Sequence, residues 1–82
     1  LDAQTIQQLI ESGLRDARAT VHGNDGVHFE ATVICPAFAE KLPLARHRLV
    51  YATLGEAMGT AIHALSLTTL TPDEAARAGL TL

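Results

Sequence analysis

Val27-His28-Phe29-Glu30-Ala31-Thr32-Val33-Ile34 alternates apolar and polar side chains over its length, and the reading of this stretch decides the fold. A strand so patterned places Val27, Phe29, Ala31 and Val33 on one face and His28, Glu30 and Thr32 on the other. The first face should meet helices and the second should stay open. Just upstream, Ala17-Arg18-Ala19-Thr20-Val21-His22 alternates in the same way, and Gly23-Asn24-Asp25-Gly26 between them supplies turn residues. Together they predict an antiparallel β-hairpin.

The flanks of the hairpin read as helices. Before it, Ile6, Leu9, Ile10 and Leu14 recur at helical spacing behind Asp2, a good capping residue, which predicts a first helix ending near Gly13. After it, Pro36-Ala37-Phe38-Ala39-Glu40 reads as a short helical turn broken by Leu42-Pro43. A longer helix then spans 44–58, with His47, Val50, Tyr51, Leu54, Ala57 and Met58 on one stripe and Gly59 closing it. Positions 62–69 are rich in aliphatic and β-branched residues and read as a third strand. Thr71-Pro72-Asp73-Glu74 supplies an N-cap, a proline at the first helical position and early acids, the start of a last helix. A helical crossover makes the second and third strands parallel. The fold class is therefore α+β, in the order αββααβα, with a three-stranded mixed sheet and helices on one face.

The chain has 82 residues, which bounds it to one small domain over 1–82. With 48% apolar and 18% charged residues it is a folding chain rather than a disordered one. A formal charge of −3 argues against bulk electrostatic binding of nucleic acid, which needs a basic surface. A local patch at Lys41, Arg46 and Arg48 keeps weak contact with DNA open, and the same arginines read equally well as solvated helix charges or as contacts to an acidic partner. Cys35 is the single cysteine, so no internal disulfide forms, which fits a cytoplasmic setting. No stretch is long and apolar enough to span a bilayer, and no signal peptide is visible, although the start at Leu1 leaves room for a processed or missing terminus.

No enzyme motif is legible: there is no P-loop, no Ser-His-Asp spacing and no paired-carboxylate site. The four histidines lack the close pairing of a zinc motif. On the residues alone His63 is a hydrogen-bonded histidine at the head of the third strand, and His28 a solvated residue of the open sheet face. His47 lies on the apolar stripe of the long helix and reads as a buried, hydrogen-bonded core residue. Gly23-Asn24-Asp25-Gly26 matches the G-x-x-G of KH domains in letters, but that loop joins two helices and this one joins two strands.

Four segments in order carry a family likeness: Asp25-Gly26-Val27-His28-Phe29-Glu30, Arg46-His47-Arg48-Leu49-Val50-Tyr51, Ile62-His63-Ala64-Leu65 and Thr69-Leu70-Thr71-Pro72-Asp73-Glu74. The chain resembles the BolA family over 6–74, and within it the short-loop bacterial, IbaG-like branch. The resemblance implies a fold related to the class II KH type and a non-enzymatic adaptor that binds a monothiol glutaredoxin, with or without a shared [2Fe-2S] cluster. It makes His63 a cluster ligand, the rest of the site coming chiefly from the partner. For the second ligand it places Asp25 where many members carry Cys, a hard oxygen donor in a thiolate position. His28 is the better candidate, with Asp25 and His22 in reserve. The family also implies a rival role, a DNA-binding transcriptional regulator of stress and cell-envelope responses. Self-association of the isolated chain is left open.

Overall fold

The computed structural model describes residues 1–23, 25–57, 59 and 64–81. Helix α1 spans Ala3–Gly13, strand β1 Arg18–His22, strand β2 Phe29–Ile34, helix α2 Pro43–Leu54, strand β3 Leu65–Leu70 and helix α3 Pro72–Arg77; a 3-10 turn at Pro36–Phe38 precedes α2. The three strands form one sheet in the order β1-β2-β3, antiparallel between β1 and β2 and parallel between β2 and β3. This is the expected α+β arrangement, and β2 is its centre.

Local chemistry starts each helix. The Asp2 carboxylate accepts the Thr5 N–H at 2.8 Å, capping α1 and holding the Asp2 carboxyl below its ordinary value. Ile6 and Ile10, one turn apart, are fully buried. They meet Phe29, Ala31 and Val33 of β2, Val50 and Leu54 of α2, and Phe38 and Cys35 in one aliphatic-rich core. Thr71 caps α3 with a reciprocal pair: its side chain accepts the Glu74 N–H, and the Glu74 carboxylate accepts the Thr71 N–H. Ala75 of α3 is buried, and a groove beside it is lined by Ile34 and Arg18 from the other end of the sheet's open face.

Four expectations change. Val27 is 56% exposed and lies outside β2, because the Asp25 carboxylate captures the N–H groups of Val27 and His28 and curls them into the turn. The burial alternation therefore begins at Phe29. Helix α2 starts at Pro43, as its first residue rather than a breaker, and ends at Leu54 instead of 58. Gly55, with φ +53°, accepts the left-handed backbone that closes it, and its N–H donates to the Tyr51 carbonyl. The third strand begins at Leu65; positions 62 and 63 lie outside the described residues. His47 is half-buried, edge-on to Tyr51 at 6.4 Å between ring centroids, and no buried polar side chain exists among the described residues.

Candidate functional site

The register of the sheet builds the site. His22 pairs with Glu30, and Glu30 with Ser66, so three polar side chains from three strands stand in one row on the open face. The next row repeats the pattern with Thr20, Thr32 and Thr68. Beyond the His22 row, residues of the hairpin turn border an open cavity of about 390 Å³, lined by His22, Gly23, Asp25, His28, Phe29, Glu30, Ala64 and Ser66. Gly23 is required in its wall: a Cβ there would stand 2.4 Å from the ring of Phe29, a core residue.

Within the turn, one carboxylate makes three contacts. Asp25 Oδ1 accepts the N–H of Val27 at 2.9 Å and of His28 at 2.8 Å, and Asp25 Oδ2 lies 2.9 Å from His28 Nδ1. The hydrogen bond from the His28 ring, followed by those from the His28 and Val27 amides, holds the Asp25 carboxyl well below the usual carboxylate range. Asp25 is thus ionised at neutral pH and occupied by its own turn. Expected as a reserve ligand, Asp25 is hydrogen-bonded to His28, the residue the sequence reading preferred for that place. His28 and Asp25 both remain open to solvent, at 75% and 56% of their side-chain surface.

The cavity brings together three of the four expected ligand positions, His22, Asp25 and His28. The fourth, His63, lies outside the described residues; Ala64, the next residue in the chain, is in the lining. Among the described residues no three His, Cys, Asp or Glu side chains group closely enough to hold a metal ion. An imidazole at the cavity wall suits iron, and a carboxylate on its second nitrogen is the support ligating histidines commonly have. The donor set therefore fits one or two ligands to a cluster, and a complete site needs donors from elsewhere.

The basic candidates separate. Arg46 is not an exposed phosphate contact: its side chain is 11% exposed and is spent inside the fold. Its Nε donates to the Lys41 carbonyl at 2.9 Å and its Nη1 to the Thr69 carbonyl at 3.1 Å and to Glu74 Oε1 at 2.6 Å. The guanidinium also lies 6.0 Å from the Phe38 ring centre. Lys41 and Arg48 remain exposed. Cys35 is buried, its Sγ 3.5 Å from the Arg15 carbonyl, as suits a small structural residue. Glu30, Ser66 and the Glu74 partner of Arg46 escaped the sequence reading, because each is joined to the site by strand register or by a long-range contact. The period-two pattern of β2 did mark Glu30 as an open-face residue.

A family model described as BolA-like protein matches residues 4–74. Among curated proteins, the DNA-binding transcriptional regulator BolA of Vibrio cholerae is 47% identical over 47 residues, covering 57% of this chain and 44% of that protein. Human BolA-like protein 1 is 44% identical over 72 residues, covering 88% of this chain and 50% of its own length. The chain spans about half the length of the curated relatives it matches. Among solved structures, a BolA protein homologue from Coxiella burnetii superposes with a TM-score of 0.83 at 51% identity, covering 94% of this chain and 99% of that one.

Proposed function

Because this chain belongs to the BolA family, we propose that it is a non-enzymatic adaptor of iron–sulfur metabolism, which binds a monothiol glutaredoxin either without metal or around a shared [2Fe-2S] cluster. The observation that carries this reading is the cavity in which His22, Asp25 and His28 come together beside Ala64. His63, next to Ala64 in the chain, and His28 are the ligands from this side, and the partner supplies the others. Replacing thiolate by imidazole at such a cluster raises its potential, so a mixed complex differs chemically from a glutaredoxin homodimer. The short turn between β1 and β2 fits the IbaG-like branch. Titration with a cluster-loaded monothiol glutaredoxin, followed by visible circular dichroism, tests the reading. A new spectrum that saturates at one-to-one stoichiometry is expected; an unchanged glutaredoxin spectrum overturns cluster sharing.

A second reading, DNA binding, draws on the name of the Vibrio cholerae relative and on exposed Lys41 and Arg48. With Arg46 engaged by Glu74 and a net charge of −3, such binding is weak and sequence-indifferent. It should be largely lost between about 50 and about 200 mM salt. Fluorescence anisotropy with a labelled duplex reads this directly, and selective binding that survives the higher salt would reverse the order of the two readings.

A further inference from the structure

The turn that exposes His28 also constrains which of its nitrogens carries the proton. We propose that Asp25 is the positioning residue of the site, locking the neutral His28 ring in its Nδ1–H form and leaving the Nε2 lone pair as the available donor. A carboxylate only accepts hydrogen bonds, so the 2.9 Å contact between Oδ2 and Nδ1 requires the proton on Nδ1. Free neutral imidazole side chains favour the opposite form, with the proton on Nε2. An exposed His–Asp pair would ordinarily be too loose to reverse that preference, because both side chains must be ordered to make it. Here one of them is ordered beforehand: Oδ1 is held by the Val27 and His28 amides, which aims Oδ2 at the ring of the same His28. Among the described residues Nε2 has no competing partner. The consequence deepens the proposed function and rests on it, since in the neutral ring an Nε2 already bare needs no tautomer exchange to bind a metal.

The test uses the whole ¹⁵N-labelled chain without glutaredoxin or metal, in two-bond ¹H–¹⁵N spectra at about pH 8.5, two units above the ordinary imidazole value. His28 should show a protonated Nδ1 and a bare Nε2, while His22, which has no carboxylate hydrogen-bonded to its ring among the described residues, serves as the comparison. In Asp25→Asn the amide oxygen keeps the two backbone bonds, but the second position becomes an NH₂ donor. His28 must then accept at Nδ1, and its proton should move to Nε2. Asp25→Ser keeps one acceptor for the turn and lacks the second oxygen, so His28 should relax to the solution preference. The Val27 and His28 amide shifts report whether the turn survives in each variant; if Asp25→Asn loses it, Asp25→Ser decides. A wild-type His28 with its proton on Nε2, or a form unchanged in both variants with the turn intact, overturns the proposal. Because no cluster enters this measurement, its outcome is independent of the adaptor reading. If the tautomer switches while the mixed-cluster spectrum of Asp25→Asn stays that of the wild type, the tautomer lock stands, but His28 leaves the ligand set and the positioning role of Asp25 at the site is overturned.

Discussion

Arg46 and Glu74 meet through two hydrogen bonds, Nη1–Oε1 at 2.6 Å and Nη2–Oε2 at 3.3 Å, and this fork ties α2 to α3 across the end of β3. The same guanidinium holds the Thr69 carbonyl, and the same carboxylate closes the capping box on Thr71. One pair of side chains therefore fastens the last strand, the last helix and the loop before α2. A planar fork suits this because each of its nitrogens has a fixed direction.

Arg46→Ala should lower the urea midpoint without changing the slope of the transition, a loss of stability rather than of compactness. Arg46→Lys should recover only part of it, since one ammonium cannot reach the Lys41 and Thr69 carbonyls and both Glu74 oxygens together. Equal stability of wild type and Arg46→Lys would mean that charge alone matters here.

The fork also sets an acid dependence. Arg46, with the Thr71 amide behind it, pulls Glu74 from 4.5 down to about 2. A carboxyl whose pKa is depressed on folding stabilises the fold above its unfolded value, and that contribution is lost as pH falls through the folded value. The stability difference between wild type and Glu74→Gln should thus be constant above about pH 5 and shrink toward zero as pH approaches 2. Denaturant melts across that window check it, and a difference that grows on acidification would contradict the sign.

Two glycines of the hairpin should respond differently to alanine. Gly23→Ala forces a methyl onto the Phe29 ring and should cost about 1–3 kcal/mol by overpacking. Gly26→Ala meets no atom within 4 Å but keeps a φ of +72°, so only the left-handed backbone penalty of about 1–2 kcal/mol applies. Equilibrium unfolding separates them if Gly23→Ala also perturbs Phe29 resonances and Gly26→Ala does not.

For His47→Ala, the half-buried edge contact with Tyr51 is what is lost, so a decrease of about 0.5–1.5 kcal/mol is expected and glutaredoxin binding should persist. A variant of full stability that no longer binds would move His47 into the functional surface.

Among the site histidines, His63→Ala should abolish the mixed-cluster spectrum while the far-ultraviolet spectrum stays native. His28→Ala should weaken or reshape it, and His22→Ala should leave it nearly intact. A wild-type spectrum from His63→Ala would remove that residue from the ligand set.

Much of the fold was legible in the sequence because its signals are local. The alternation from Phe29 to Val33 set the buried face of β2, Ile6 and Ile10 set that of α1, and Thr71-Pro72 with Glu74 announced α3. Three of the cavity's residues, His22, Asp25 and His28, were likewise legible as chemistry, while His63 lies outside the described residues. Contacts without a local signature were decided only by the tertiary structure. Whether Val27 joined the strand depended on a carboxylate that bonds sideways into its own turn, and whether α2 ran on to Gly59 depended on Gly55, where the backbone turns left-handed first. Arg46 looked like a free charge because its partner lies 28 positions further along the chain. His22, Glu30 and Ser66 form one wall only because strand register aligns three separate segments. Periodicity and capping act over a few residues and are written in order along the chain, whereas register and ion pairing depend on which segments folding brings side by side.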